Sequence, residues 1–448
     1  MNCQANTFPQ EIWAEILKYC SQETLVILSR VSPLLCGEAR KLLLRKIVSK
    51  HHTDHGHECE SMGIIHRPWS FYESLEANHV DWRRMIKSIK LFWMTEYMDK
   101  DGKTALIGRE KPVEDHLIFK TAMLLCQCTR LSDFHLSSRM LAVVTTMLKN
   151  GPLPLTSLDF SLPYRYLWED IYEVFNIPTL TTLVMRNLLS PDRPSFRFPP
   201  LIPDDLHDKH GTSNIQYLSL LACGPLTHFI SPLFQWPKSL RKLNYAPMRS
   251  KCEPYWRTIL RRTGDISDAV DLSVSVLLPL KSTLEELHFD LGLDRAWIWP
   301  FQTGELFQPF TSLKRLTAPV EMVMHSRGLS RSRSAKPFYT NLPHSLETLE
   351  LKFTILTSWH SRPAHSDLDA DACLMSDPAH QLFDELSILA MQKGEWFPVL
   401  GQIMLTGYGD RPFLVKCDHT ELALKDLKNS GVHVVQGDWY RESREAWI

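Results

Sequence analysis

The chain has 448 residues, more than the ~250–300 that one hydrophobic core usually holds, so several domains or a repeat array are expected. Hydrophobic residues make up 44% and charged residues 23%, a composition that is typical of a folded protein and excludes a disordered one. The formal net charge of -1 provides no field that would attract nucleic acid or an anionic membrane, so neither partner is expected.

The cysteines and the N-terminus predict an intracellular location. Ten cysteines are spread along the chain without the even framework of a small secreted scaffold, so reduced thiols are expected. The first residues contain no basic leader with an apolar core, and no run of about 18 apolar residues is present to span a bilayer. A cytoplasmic or nuclear protein without a membrane anchor is predicted.

The first fifty residues predict three short helices. Pro9 favours a helix start and the first helix runs to about Tyr19; Ser21 is a candidate N-cap for the second, and Ser32-Pro33 begins the third. Apolar residues recur at helical spacing in all three segments: Ile12, Trp13, Ile16 and Leu17, then Leu25, Leu28 and Val31, then Leu34, Leu35, Ala39, Leu42, Leu43 and Ile47. Three such helices bury little surface alone, so their remaining apolar side chains are expected to meet a partner or the next domain.

The segment FPQEIWAEILKYCSQETLVILSRVSPLL resembles an F-box, with Phe8 and Cys20 at positions where leucine is common and no tryptophan near the end of the third helix. The resemblance covers residues 8–47 and implies binding to a Skp-type adaptor and through it to the cullin ligase core. By that resemblance, contacts to the adaptor, or the core that presents them, would be supplied by Pro9, Ile12, Ile16, Leu17, Leu25, Leu28 and Val31. The alternative is an amphipathic helical cap on the domain that follows.

One phrase, apolar-x-x-apolar-x-apolar, returns ten times after the F-box-like segment. It occupies residues 86–91, 131–136, 155–160, 180–185, 215–220, 240–245, 284–289, 313–318, 346–351 and 400–405. Intervals such as 131 to 155 and 284 to 313 have the length of leucine-rich repeats, about 20–29 residues, whereas the interval from 346 to 400 must hold an insertion.

The last four positions of each phrase predict a strand, because apolar residues alternate with polar ones. The apolar side chains would face the core of a solenoid and the residues between them its concave surface. A target would therefore be bound at the intervening positions, which include Asp159, Ser219, Asn244, His288 and Glu350.

The phrase resembles the irregular leucine-rich repeats that follow an F-box in many fungal and other eukaryotic receptors. The expected fold class is α/β, a three-helix F-box followed by a horseshoe-shaped solenoid; ordinary strands of an α/β domain are the alternative. A helix at 420–428 and a strand at 432–435 would close the array. The predicted domains are residues 1–50 (F-box-like), 51–79 (linker), 80–440 (repeats, with insertions near 92–130, 186–214, 326–337 and 361–380) and 441–448 (tail).

Several segments carry groups capable of chemistry, and none of them predicts a site. His51, His52, His55, His57, Cys59 and His66 have no zinc-ligand spacing and are interpreted as a polar linker, and Cys126-x-Cys128 lacks the two-residue gap of zinc or redox pairs. The basic run 326–336 is interpreted as a solvated loop, the acidic stretch 361–380 lacks the glycine and glutamate of a calcium loop, and Trp297-Ile298-Trp299 is interpreted as core. No metal or cofactor is expected.

No nucleophile elbow, phosphate-binding glycine loop or zinc-protease helix is present in the sequence. The chain is therefore expected to be a non-catalytic receptor, the substrate-recognition subunit of a Skp-cullin-F-box ubiquitin ligase. A leucine-rich-repeat interaction scaffold acting outside a ligase is the alternative from another class, and a hydrolase would require a clustered nucleophile and base that the sequence does not indicate.

Overall fold

The computed structural model describes most of the predicted elements. The described residues are 9–31, 33–51, 86–93, 97–98, 104–105, 128, 130–136, 144–145, 147–148, 154–162, 167–188, 202–226, 230–248, 252, 273–290, 306–323, 338–353, 378–407 and 418–436. The chain divides into two compact units, Met1–Arg186 and Asn187–Ile448.

The first unit begins with helices α1 (Gln10–Leu17), α2 (Gln22–Val31) and α3 (Pro33–Arg45), as the apolar spacing predicts. Ser21 Oγ accepts a hydrogen bond from the Thr24 N–H at 3.2 Å, so Ser21 is the N-cap of α2. The core of this three-helix module is formed by Leu17, Leu25, Leu35 and Ala39.

Strand β1 (Lys46–His51) follows α3 without an intervening residue and pairs in parallel with β2 (Ser88–Trp93). The third helix is therefore shorter than predicted: it ends at Arg45, and β1 begins at Lys46, inside the segment predicted as helical. The β-branched pair Ile47-Val48 explains the difference, because such side chains favour a strand over the last turn of a helix.

The other elements of the first unit are mainly strands. An antiparallel hairpin joins β3 (Tyr97–Met98) to β4 (Thr104–Ala105), within the predicted insertion near 92–130. The parallel sheet continues from β2 through β5 (Asp133–Leu136) and β6 (Ser157–Ser161) to β7 (Thr182–Arg186). Between β6 and β7, helix α4 (Trp168–Phe175) buries Trp168, Ile171, Val174 and Phe175.

In the second unit the described residues form seven strands, each parallel to the next along the chain. They are β8 (Tyr217–Cys223), β9 (Lys242–Pro247), β10 (Glu286–Phe289), β11 (Arg315–Pro319), β12 (Thr348–Phe353), β13 (Gln402–Gly407) and β14 (His433–Gln436). The helices are α5 (Asp204–His207), α6 (Pro232–Gln235), α7 (Val320–Val323), α8 (Pro378–Trp396) and α9 (Asp418–Asn429), with 3-10 turns at Leu278–Leu280 and Phe338–Asn341. The predicted insertions and tail at 326–337 and 441–448 lie outside the described residues, as does 361–380 up to the first turn of α8.

All ten phrases contain a strand, so this part of the prediction is confirmed. The apolar positions are also in register: Leu287 pairs with Leu243 and Leu316, and Leu349 pairs with Leu316 and Ile403. These side chains are buried because alternate residues of a strand face one side, and in-register strands place them in one continuous core. The predicted closing helix and strand are confirmed as α9 and β14.

A shared hydrogen bond recurs where the strands begin. Two successive N–H groups of one strand donate to a single carbonyl of the preceding strand, as in Lys314 and Arg315 donating to Glu285 at 2.8 and 3.0 Å. The same arrangement is found at the carbonyls of Lys87, Ser132 and Thr156 in the first unit and of Gln216, Arg241, Glu285, Lys314 and Glu347 in the second. An α/β fold of parallel strands therefore repeats one local geometry within each unit. In the described part of the chain, no helix combines the length and apolar character needed to cross a membrane.

Candidate functional site

Helix α1 presents an apolar stripe to solvent. Ile12 and Ile16 are each 44% exposed and Tyr19, just after the helix, is 89% exposed; spacings of four and three place them on one side. The neighbouring stripe, with Trp13 and Leu17, packs on the core of the module. Apolar side chains aligned outside a complete core form a candidate docking surface.

The seven predicted adaptor contacts separate into two groups. Pro9, Ile12 and Ile16 are exposed, whereas Leu17 and Leu25 are buried and Leu28 packs against them; the side chain of Val31 lies outside the described residues. Leu17 and Leu25 are therefore core residues of the module, and Leu28 is partly buried against them. Tyr19 and Ile27, the latter 59% exposed, are further exposed apolar side chains that the sequence did not single out, because its pattern does not say which apolar stripe of a helix faces inward.

Three of the five predicted target-binding residues, Asp159, Ser219 and Asn244, form side-chain hydrogen bonds between adjacent strands. Arg186 on β7 donates two hydrogen bonds, both of 3.0 Å, to the carboxylate of Asp159 on β6. Asn244 Nδ2 donates to Ser219 Oγ at 3.1 Å. Ser219 is only 1% exposed, so its predicted place on the surface was wrong: the side chain of Asn244, on the adjacent strand, bonds to it.

The other two predicted target-binding residues, His288 and Glu350, lie on one face of β10–β13. Glu350 connects three of these strands. Its Oε2 accepts from the Thr317 hydroxyl at 2.9 Å and its Oε1 from the Thr406 hydroxyl at 3.0 Å. Thr317 belongs to β11 and Thr406 to β13, on either side of Glu350 in β12. Hydrogen bonds to a charged acceptor are stronger than neutral ones, so Glu350 fixes this part of the sheet.

His288 and Lys352 complete this face. Lys352 Nζ donates to His288 Nε2 at 2.9 Å, because an ammonium group can only donate; the imidazole is therefore neutral, with its proton on Nδ1. Burial, with Lys352 as the second cause, lowers the pKa of His288 to about 3. Burial also lowers the pKa of Lys352, although Asp290 and Glu350 oppose that effect. We call His288, Asp290, Thr317, Glu350, Lys352 and Thr406 the β10–β13 polar cluster.

The β10–β13 polar cluster offers donors and acceptors in a fixed arrangement, which suits recognition. In the ranges that the structure describes, no group of three or more His, Cys, Asp or Glu side chains is placed to hold a metal ion. The predicted segments at 52–66, 297–299, 326–336 and 361–377, and Cys126, lie outside those ranges.

A second charged feature, which sequence reasoning missed, runs across the first residues of β9–β11. Glu285 Oε atoms lie 3.8 Å from Arg241 Nε and 3.5 Å from Lys314 Nζ. Glu286 Oε1 lies 3.0 Å from Lys242 Nζ and 3.5 Å from Arg315 Nη1. We call these six residues the charge ladder. Its sequence signal is visible in the phrases LRKL, LEEL and LKRL, whose charged pairs alternate in sign.

An open groove of about 660 Å³ lies beyond the charge ladder at the first residues of β12–β14. Glu347, Thr348, Val399, Gly401, Gln402 and His433 line it. Val399 is 53% exposed and gives the groove an apolar side, while Glu347 gives it a negative charge. The groove is therefore a candidate for binding a cation that carries an alkyl stem.

Comparison of the sequence with protein-family models and with curated proteins finds no match. The candidate sites come from the geometry alone: the α1 stripe in the first unit, and the β10–β13 polar cluster and the groove in the second.

Proposed function

We propose that this chain is the substrate-recognition subunit of a Skp-cullin-F-box ubiquitin ligase. In this proposal the three-helix module is an F-box that binds the Skp-type adaptor, and the parallel strands are an irregular leucine-rich-repeat solenoid that binds a target protein. The observation that carries it is the exposed stripe of Ile12, Ile16 and Tyr19 on α1.

The α1 stripe supports adaptor binding for an energetic reason. The module already has a core in Leu17, Leu25, Leu35 and Ala39, so the stripe is not needed for its folding. Burying the exposed part of Ile12 or Ile16 under a partner would contribute about 1 kcal/mol each. An adaptor that covers such a stripe would bind through Ile12 and Ile16, which are also among the residues that the F-box resemblance assigns.

The recurring hydrogen bond at the strand starts supports the repeat half of the proposal. Each shared carbonyl joins one phrase to the next, whether the chain between them is short or long: Thr156 to Thr181 and Glu347 to Gly401 form the same contact. Strands that repeat one geometry expose successive outward positions as a continuous surface. Such a receptor performs no chemistry itself; it raises the effective concentration of the target near the catalytic subunits.

The test is adaptor binding by the full chain carrying Ile12→Glu and Ile16→Glu. We expect binding to a purified Skp-type adaptor, measured by calorimetry, to fall by about tenfold or more, because two charges replace about 2 kcal/mol of apolar contact. The matched control is Leu422→Glu on α9, since Leu422 is 56% exposed and undergoes the same chemical change in the other unit. Circular dichroism establishes that both variants are folded.

Unchanged adaptor binding by the folded double variant would overturn the proposal and favour a scaffold that acts outside a ligase. Deleting residues 1–50 is a poorer test, because it removes most of β1 as well as the helices. A deletion ending at Arg45 leaves the strand intact.

A further inference from the structure

Six residues of the second unit occupy equivalent positions at the starts of consecutive strands. After the first, each donates its N–H to the carbonyl of the residue before it in the series, at 2.7 to 3.0 Å. In order they are Gln216, Arg241, Glu285, Lys314, Glu347 and Gly401. Neighbouring members are one strand spacing apart, so their side chains stand next to one another.

The charges in this series alternate. Arg241 is positive, Glu285 negative, Lys314 positive and Glu347 negative, and Glu285 forms ion pairs with the cation on each side. The next member after Glu347 would continue the alternation as a cation. It is Gly401, which has no side chain.

The space that a cation would fill at Gly401 is open. A Cβ atom added to Gly401 meets nothing within 4 Å, and the groove of about 660 Å³ lies there, between Glu347, Val399 and His433. Among the residues that the structure describes, the Glu347 carboxylate forms no ion pair or hydrogen bond, in contrast to Glu285. The groove therefore combines an available carboxylate, an apolar wall at Val399 and an unfilled position.

We propose that the groove binds a basic side chain, lysine or arginine, of the target protein, a partner whose existence rests on the proposed receptor function. The cationic head pairs with the Glu347 carboxylate at the position left open by Gly401, and the alkyl stem packs on Val399. Charge complementarity along the series favours this occupant over an anion. A side chain is favoured over a metal ion because a single carboxylate supplies too few ligands for a metal.

The probe is N-acetyl-arginine amide, titrated into the full chain with ¹³C-labelled valine methyl groups. The Val399 signals are identified by their absence in Val399→Ile. We expect the arginine probe to shift them saturably, while the uncharged citrulline analogue, tested at equal concentrations, does not. Glu347→Gln, which keeps the shape and removes the charge, is expected to weaken arginine binding by about two- to fivefold.

Gly401→Arg tests the open position directly. The new guanidinium would pair with Glu347 within the chain, so the arginine probe is expected to lose its effect; Gly401→Ala, the control, is expected to retain it. Equal shifts with citrulline, or unaltered binding by Glu347→Gln, would overturn the inference. Adaptor binding is measured on the same proteins. The Ile12→Glu/Ile16→Glu variant is expected to lose adaptor binding and to keep arginine binding, so failure of one proposal can be distinguished from failure of the other.

Discussion

The fold opposes protonation of His288. Its Nε2 accepts a hydrogen bond from Lys352, and protonation would remove that acceptor and place two positive charges in contact. Its pKa is about 3 in the folded chain, compared with about 6.5 for an unperturbed histidine. Because the folded value is the lower one, the unfolded chain binds the proton more readily.

The sign of the pH effect follows from linkage. The stability that His288 contributes is complete above pH 6.5 and is lost as the pH falls from there towards about 3. We expect the unfolding temperature of His288→Gln to fall less steeply than that of the native chain over this range. Glutamine is uncharged and its side-chain oxygen can still accept from Lys352, so the comparison isolates the titration. The measurement is the unfolding temperature by calorimetry, and identical pH profiles would contradict it.

At Ile12 and Leu17 the sequence could not separate contact from core. Both belong to α1, where apolar residues cover two neighbouring stripes, and the periodicity of 3.6 residues fits either one as the inward face. Packing against α3 decides between them. Ile12 and Ile16 were therefore predicted only as two of the seven F-box residues, without a distinction between exposed and buried positions.

Among the elements, the charge ladder links strands whose order along the chain equals their order in the sheet. Each glutamate lies between two cations, so a strand moved by one place would bring like charges together. Individual exposed ion pairs contribute little, but like charges on neighbouring strands destabilise a sheet. The ladder therefore favours the correct order and register more than it favours the folded state as such.

Glu286 is the position that tests this role. Glu286→Lys places a third cation between Lys242 and Arg315, and we expect it to lower the unfolding temperature of the second unit by about 2–4 °C, the effect of roughly 1 kcal/mol. Glu286→Gln removes the pairs without adding repulsion and should cost less. The excess effect of lysine should shrink in 1 M salt, about a 3 Å screening length. An excess that does not depend on salt would mean a steric cause.

The ten strands that follow the repeated phrase were predictable from the sequence, whereas β1, the first strand along the chain, was not. Ten phrases yielded ten strands because alternating leucines report burial directly. In contrast, β1 matches no phrase, and Ile47 continues the helical spacing of α3, so the local pattern favoured the wrong element. Its pairing with β2 is a contact with a segment about forty residues away, which a local pattern does not contain.

For the whole molecule, the proposals place two binding activities in two units. The triple variant Ile12→Glu/Ile16→Glu/Gly401→Arg should lose both adaptor binding and arginine binding, each to the extent found in the separate variants. Changes without shared partners combine additively to within about 0.5 kcal/mol. Calorimetry for the adaptor and the Val399 signals for arginine provide independent readouts. A Gly401→Arg protein with weakened adaptor binding would contradict this independence.

The groove itself was not predictable from one sequence, although its residues were in view. Glu347 and Gly401 fall in the phrases LETL and LGQI, which are 54 residues apart by their first positions, 346 and 400. Only the register of β12 and β13 makes them neighbours. Lys352 and Thr406 of the β10–β13 polar cluster were missed because the sequence analysis considered only one outward position in each phrase.

The shared carbonyls have a consequence for how such a protein can diverge. Because eight carbonyls each hold two successive N–H groups at the start of the following strand, the connecting segment between strands is free to differ in length, and the closure entropy of a doubled loop costs only about 0.6 kcal/mol. The connections from Ser161 to Thr182 and from Phe353 to Gln402 already differ more than twofold. New sequence can therefore be inserted between strands while the buried leucines, and with them the stability of the sheet, stay as they are.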